Sequence, residues 1–378
     1  MFRTRSLFSA LLLGAVLTQT DPAYSQVPGT VGPMPYTIPE HWIEPFAEPG
    51  FSWGGNSGIH VASPDRIIVL QRGETRLPDP VPDEYTDFPG SLGWNVIRGE
   101  HIEWQNVMYV INSTGEVLEV WDHWDHLFKG TDGPGPHRLR VSPYDPAQRL
   151  WVVDETGHVI YVFSSDGQEL LITLGEKNVP GEGPTHFGLP QDVAFMPDGT
   201  VLIADGLQNT RVVMRSVDGH YLSEFGVRGE GPGEFVTAHG LAFGPGGDLY
   251  VVDRNNQNVQ VFTHVNRGSG ETVPVFEHKA TWSGHLDFPL DIIISDQYVW
   301  VTDIRPPKIV QFDLQGNQVY TWLLPDEGPT RWLEMHSFAV DVDGNVYGTD
   351  NQLGRTQKLV PDPNANPQHL IQQQYVPD

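Results

Sequence analysis

The 378-residue chain carries 40 Gly and 32 Pro, only 19% charged residues and no cysteine. That mixture suits many short strands joined by tight turns, and it argues against helical bundles, disorder and disulfide-stapled scaffolds. A net charge of −26 with no Lys/Arg cluster argues against nucleic acid as a partner, and the lack of Cys removes thiolate chemistry and Cys metal ligands.

The first 25 residues read as an export signal. Arg3 and Arg5 precede an apolar run at 7–17 that is too short to span a bilayer. Ala23 and Ser25 then put small residues three and one positions before a cleavage at Gln26. The mature protein is therefore expected to be secreted or periplasmic. No later stretch is apolar for long enough to form a transmembrane helix. Residues 26–49 are a Pro/Gly-rich leader expected on the surface, and 50–378 are expected to form one repetitive domain.

From residue 50 the chain repeats itself. The runs "LWVVD", "VLIAD", "LYVVD", "VWVTD" and "VYGTD" end at Asp154, Asp205, Asp253, Asp303 and Asp350, at intervals of 51, 48, 50 and 47 residues. The first equivalent run, "IIVLQ", ends at Gln71, 83 residues before Asp154, so the first unit carries an insertion at about 73–106. Each unit holds about four alternating strands separated by turns. In the third these are "QDVAFM", "VLIAD", "TRVVMRS" and "YLSEFG". Six such units predict an all-β, six-bladed β-propeller. The units resemble NHL repeats, most clearly in "GEGPTHFGLPQDVAFMPDGTVLIADGLQNTRVV". Either the leader or "HLIQQQYV" near the C-terminus is expected to supply the outer strand of the last blade.

Aligned on the first strand of each unit, one column reads Ser57, His137, Gln191, His239, Leu290, His336. The first strand of a blade lines the central channel, so histidine in alternate blades places three imidazoles at one height around the axis. Three protein ligands with an open fourth position are what a catalytic zinc requires; the competing reading is three hydrogen-bonded channel histidines. His60 points the other way along its strand, while His123 and His126 in "WDHWDH" read as a polar turn. His101 lies in the insertion.

The residue after the strand-end landmark reaches the same mouth. Arg72 follows Gln71 and Arg254 follows Asp253, on opposite sides of the axis. Two guanidiniums facing a cation suit a small carboxylate-bearing or peptide-derived substrate; alternatively each pairs with a local acid. The insertion leaves from this mouth as a candidate lid. The landmark aspartates recur in almost every blade and are expected to serve strand-end hydrogen bonds.

"GPHRLRV", "AHGLAF", "LYVVDRNNQNVQVF" and "MHSFAVDVDGNVYGTD" carry a more specific likeness. The chain resembles the peptidyl-α-hydroxyglycine α-amidating lyases, zinc-dependent six-bladed propellers that cleave a peptidyl-α-hydroxyglycine to a peptide amide and glyoxylate. The resemblance implies His137, His239 and His336 as zinc ligands and Arg72 and Arg254 as active-site arginines. It also implies a channel calcium held by the backbone carbonyls of Ile59 and Leu139 and by an Asp. Two positions depart from the pattern. Ser337 stands where that Asp would be, and Leu207, in "ADGLQN", stands where the family has an active-site Tyr. Three function classes are open on sequence alone: this lyase, a zinc-dependent ester or lactone hydrolase, and a non-enzymatic propeller that binds peptide or glycan.

Overall fold

Runs rich in Val, Ile and aromatics, bounded by Gly, Asp and Asn turns, form strands because branched and aromatic side chains pack well on a pleated surface buried on both sides. The computed structural model describes residues 27–376, except 41, 44–46, 78, 81–101, 132 and 266–272. The segment expected to be an export signal and most of the insertion therefore lie outside the described residues.

Within them, the strands assemble into six four-stranded antiparallel sheets. Blade 2 shows the pattern: Pro136–Val141 pairs with Leu150–Asp154, followed outward by Val159–Phe163 and Leu170–Gly175. The other inner strands are Asn56–Ser63, Asp192–Phe195, Ala238–Phe243, Pro289–Ile294 and Met335–Val340. Each inner strand packs on the next, and the last packs on the first, so the ring is closed. The chain is an all-β six-bladed propeller.

Each blade buries both faces, and the apolar residues gather into cores between neighbouring blades. Val152, Tyr161 and Phe163 of blade 2 meet Ile68, Leu70 and Val110 of blade 1. On the other face, Trp151, Val153 and Ile160 meet Val193, Ile203 and Val213 of blade 3. The alternation along "LWVVD" thus supplies two cores from one strand. The loops "GEGPTHF", "GEGPGEF" and "DEGPTRW" end on Phe187, Phe235 and Trp332, each fully buried.

The landmark aspartates fasten strand ends to the loops of their own blades. Asp205 accepts from the Gly188 amide at 2.7 Å, Asp253 from Thr237 at 2.8 Å, Asp303 from Asp287 at 2.6 Å and Asp350 from Leu333 at 2.9 Å. In blade 2, Asp154 instead accepts from Gly157 at 3.1 Å. In blades 3 to 6 the bonded loop leads into the inner strand, so there these carboxylates set where the channel-lining residues begin.

The leader closes the circle. Tyr36–Thr37 pairs antiparallel with Arg355–Pro361 as the outermost strand of blade 6. The C-terminal segment runs elsewhere. The Ile371 amide donates to the Tyr36 hydroxyl at 2.7 Å, and Gln374 bonds to Ile294 and Phe243 across the lower end of the channel. Tyr36 is 3% exposed and packs beside Trp322. Tyr36→Ala is therefore expected to cost about 3–5 kcal/mol, as for other buried aromatics, read from the urea midpoint of unfolding. A loss of only a few tenths would mean that the leader strand does not fasten the ring.

Of the insertion, Glu74–Arg76 and Ile102–Glu103 join Phe51–Trp53 in a small three-stranded sheet beside blade 1. Among the described residues, no helix is long and apolar enough to cross a membrane.

Candidate metal centre

The inner strands break their register at one level. Val153 faces Arg138 but Asp154 faces Pro136, which leaves His137 as the extra residue of a bulge. His239 is skipped in the same way between Ala238 and Gly240, His336 between Met335 and Ser337, and Ser57 between Asn56 and Gly58. In blade 5 the irregularity spans Leu290 and Asp291. Gln191 sits just ahead of its strand. A bulge re-aims its extra side chain out of the pleat, which is how this column comes to point at the axis.

The three imidazoles converge. A ring nitrogen of each lies within 4.8 Å of those of the other two, and the ring centroids are 4.5–5.5 Å apart at steep angles. Each Nδ1 is committed to a backbone carbonyl of the following blade: His137 to Gln191 at 2.7 Å, His239 to Leu290 at 2.7 Å and His336 to Ser57 at 2.8 Å. The acceptors are the three non-histidine members of the same column. A carbonyl can only accept, so Nδ1 carries the proton and Nε2 presents its lone pair to the axis. Histidine ligands of metals are oriented by this kind of outer hydrogen bond.

His239 Nε2 is buried and has no hydrogen-bond partner, an expensive state for a polar atom unless something on the axis takes its lone pair. Burial first, and then nearby guanidiniums and imidazoles, hold all three rings well below the usual 6.5, so they are neutral donors. Three neutral imidazoles with inward Nε2 atoms fit a zinc-like ion. His60 is likewise pushed down, to about 4, by burial and by Arg140, but it lies further along its strand. His123 and His126 occupy the short helix Asp122–Leu127 and do not join the group. His101 lies outside the described residues.

Above the imidazoles, the mouth is lined by charge. Arg72 is 4% exposed and donates from Nε to the Pro136 carbonyl at 3.2 Å. Arg254 is half-buried, with its guanidinium over the Phe288 ring at 4.9 Å; Arg305 covers the same ring at 4.2 Å. Burial lowers both Arg72 and Arg254, while Glu155 and Glu334 pull each back up.

Those two acids were not singled out from sequence. Glu155 is 7% exposed, with Oε2 3.6 Å from Arg72 Nη2 and 3.7 Å from His137 Nε2. Burial raises its pKa, against the opposing pull of Arg72. Glu334 accepts from Asn351 at 3.2 Å and Gln352 at 2.6 Å. The signal for Glu155 was present: it follows Asp154 just as Arg72 follows Gln71 and Arg254 follows Asp253. Leu207 lies half-buried at the rim.

Comparison with known proteins agrees with this architecture. Residues 235–262 match the NHL repeat family. Over 142 residues the chain is 33% identical to a "Probable peptidyl-alpha-hydroxyglycine alpha-amidating lyase" of Caenorhabditis elegans, covering 37% of this chain and 40% of that protein. Over 175 residues it is 35% identical to the peptidylglycine alpha-amidating monooxygenase of Rattus norvegicus, covering 46% of this chain and 16% of that one. The matches thus span well under half of either relative. A solved structure described provisionally as a gluconolactonase superposes with a TM-score of 0.54 at 13% identity, covering 90% of this chain and 96% of that one, a likeness of fold. The chain carries an NHL repeat and is related in sequence to the α-amidating lyases.

Proposed function

We propose that the protein is a metal-dependent lyase that cleaves an N-substituted α-hydroxyglycine to an amide and glyoxylate. The observation that carries the reading is the set of three inward Nε2 atoms, each fixed by a carbonyl, beneath two guanidiniums. His137, His239 and His336 would hold a zinc-like ion, which supplies Lewis-acid polarisation of a substrate oxygen. Arg72 and Arg254 would bind the substrate carboxylate and so orient its carbinol carbon over the imidazoles.

Glu155 takes the part for which Leu207 has no suitable group. Its Oε2 lies at the edge of the imidazole cradle and can accept the carbinol proton as the C–N bond breaks. The carbinol carbon becomes the aldehyde of glyoxylate, the bond electrons leave with nitrogen, and the same carboxyl returns the proton to it. The proton is conserved and no other reactant is consumed.

The test is metal analysis of the purified protein together with a glyoxylate assay on α-hydroxyhippurate. Metal-replete protein should release glyoxylate and benzamide in equal amounts. Metal-replete protein that releases neither would overturn the reading, and turnover of esters or lactones alone would make it a hydrolase.

Arg72→Ala or Arg254→Ala should leave the metal in place and lower kcat/KM by roughly tenfold to a few hundredfold, the worth of one charge-assisted contact of about 1.5–3 kcal/mol. Lys should rescue only in part, since it keeps the charge but lacks the planar fork. A neutral amide analogue of the substrate should be almost insensitive to either change. Mutants that process the acid at the parental rate would remove the arginines from the site.

A further inference from the structure

One position below the imidazoles, the six inner strands present Gly58, Arg138, Asp192, Gly240, Asp291 and Ser337. Arg138 is fully buried and reaches across the axis from blade 2. Its Nη1 donates to the His336 carbonyl of blade 6 at 2.7 Å, and its Nη2 to the Leu290 carbonyl of blade 5 at 3.4 Å. Its Nη1 also lies 3.2 Å from Asp291 Oδ2, and its Nε 3.6 Å from Asp192 Oδ1. Arg140, two residues on, binds Asp192 through Nε at 3.0 Å and Nη2 at 2.9 Å, and Asp291 through Nη2 at 2.5 Å.

The two carboxylates also hold backbone of the neighbouring blades: Asp192 accepts from the Leu241 amide at 3.1 Å, and Asp291 from the Phe338 amide at 3.2 Å. Two guanidiniums thus balance two carboxylates, and the set joins blades 2 to 6 through the middle of the ring. Although burial pushes Asp291 up, Arg138 and then Arg140 outweigh it and hold the acid below the usual carboxylate range. Small neighbours make the close packing possible. A Cβ on Gly58 would lie 2.7 Å from the Leu139 nitrogen, and one on Gly240 would lie 2.8 Å from the Leu290 oxygen.

These residues do not fit the calcium that the family resemblance implies. The acid expected at Ser337 is a hydroxyl. Asp192 and Asp291 are neutralised by arginine, and the guanidinium of Arg138, the residue before Leu139, lies between them and also binds the carbonyls of His336 and Leu290. A divalent ion in this layer would have to share it with two cations, one of them fully buried.

We infer that the Arg138 guanidinium is the structural cation of the channel, bound covalently to the chain, and that the propeller stands without calcium. This concerns the support of the site and does not rest on the lyase reading. The parent protein, purified without chelator, should contain no equivalent of calcium, and after EGTA treatment and restoration of zinc it should melt at the same temperature with or without millimolar calcium. Arg138→Gly removes the cation and leaves Asp192 and Asp291 to Arg140 alone. Breaking a buried pair in this way should lower the midpoint by about 5 °C, and added calcium should recover part of that loss. A parent that carries an equivalent of calcium or melts higher with it overturns the inference, as does an R138G protein as stable as the parent. Should R138G fail to fold, the measurements on the parent decide the question.

Discussion

Replacing any one of His137, His239 and His336 by Ala is expected to abolish stoichiometric zinc binding and to lower kcat/KM on the order of a thousandfold. Each ring supplies one of three inward nitrogens, and the loss of one leaves two neutral donors, too few for a closed cradle. A metal held there would contribute several kcal/mol of charge stabilisation, and about 4 kcal/mol is a factor of about a thousand. The three variants should behave alike, because the geometry repeats: each Nδ1 rests on a carbonyl of the next blade. His60→Ala is the control, since that half-buried ring is also on an inner strand but stands outside the convergent set. It should retain a full equivalent of metal. Metal content is read by elemental analysis and folding by circular dichroism, so a loss of fold cannot pass for a loss of ligand. If all three single variants keep a full equivalent, the cluster is a hydrogen-bonded channel layer and the metal reading is wrong.

How much of this was legible in the chain depended on whether the signal was local. Strand ends recur at nearly constant spacing because each blade repeats one packing problem, so the fold and its six units could be read directly. The histidine column was also legible, since the residue before the regular part of each inner strand always falls at the same height. What aims that column, a bulge at every one of its strand positions, leaves no mark in sequence spacing and emerged only from the strand register. Closure could not be chosen from composition, because the leader and the C-terminal segment are both short, polar and Pro-rich. Pairing of Tyr36–Thr37 with Arg355–Pro361 decided it.

Charged residues were hardest to read, because their partners lie on other blades. Arg138 follows a histidine in sequence, yet its meaning comes from Asp192 and Asp291, 54 and 153 positions away. The rim position was read for arginine and so yielded Arg72 and Arg254. The same position in blade 2 holds an acid, and an isolated Glu on a loop reads as solvated. Only burial beside Arg72 and His137 shows otherwise.

That acid carries the second large effect. Glu155→Gln keeps the size of the side chain and removes its capacity to accept a proton, so kcat on α-hydroxyhippurate should fall about a hundredfold to ten-thousandfold, the range for a positioned general base. Metal content should stay at one equivalent, because Glu155 Oε2 stands 3.7 Å from His137 Nε2 and outside the convergent ligand set. KM should not rise. In the resting protein, Arg72 Nη2 is 3.6 Å from Glu155 Oε2, so the substrate carboxylate must compete with this acid for the guanidinium. The neutral amide frees Arg72 and should hold KM level or lower it. A merely structural role would raise KM and lower kcat together, or cost metal, so the split between the two constants discriminates. Glu155→Asp retains the carboxylate on a shorter arm and should recover part of the lost rate. If E155Q turns over at the parental rate with one equivalent of metal, the proton passes to another group, and Glu155 serves only to hold Arg72 over the mouth.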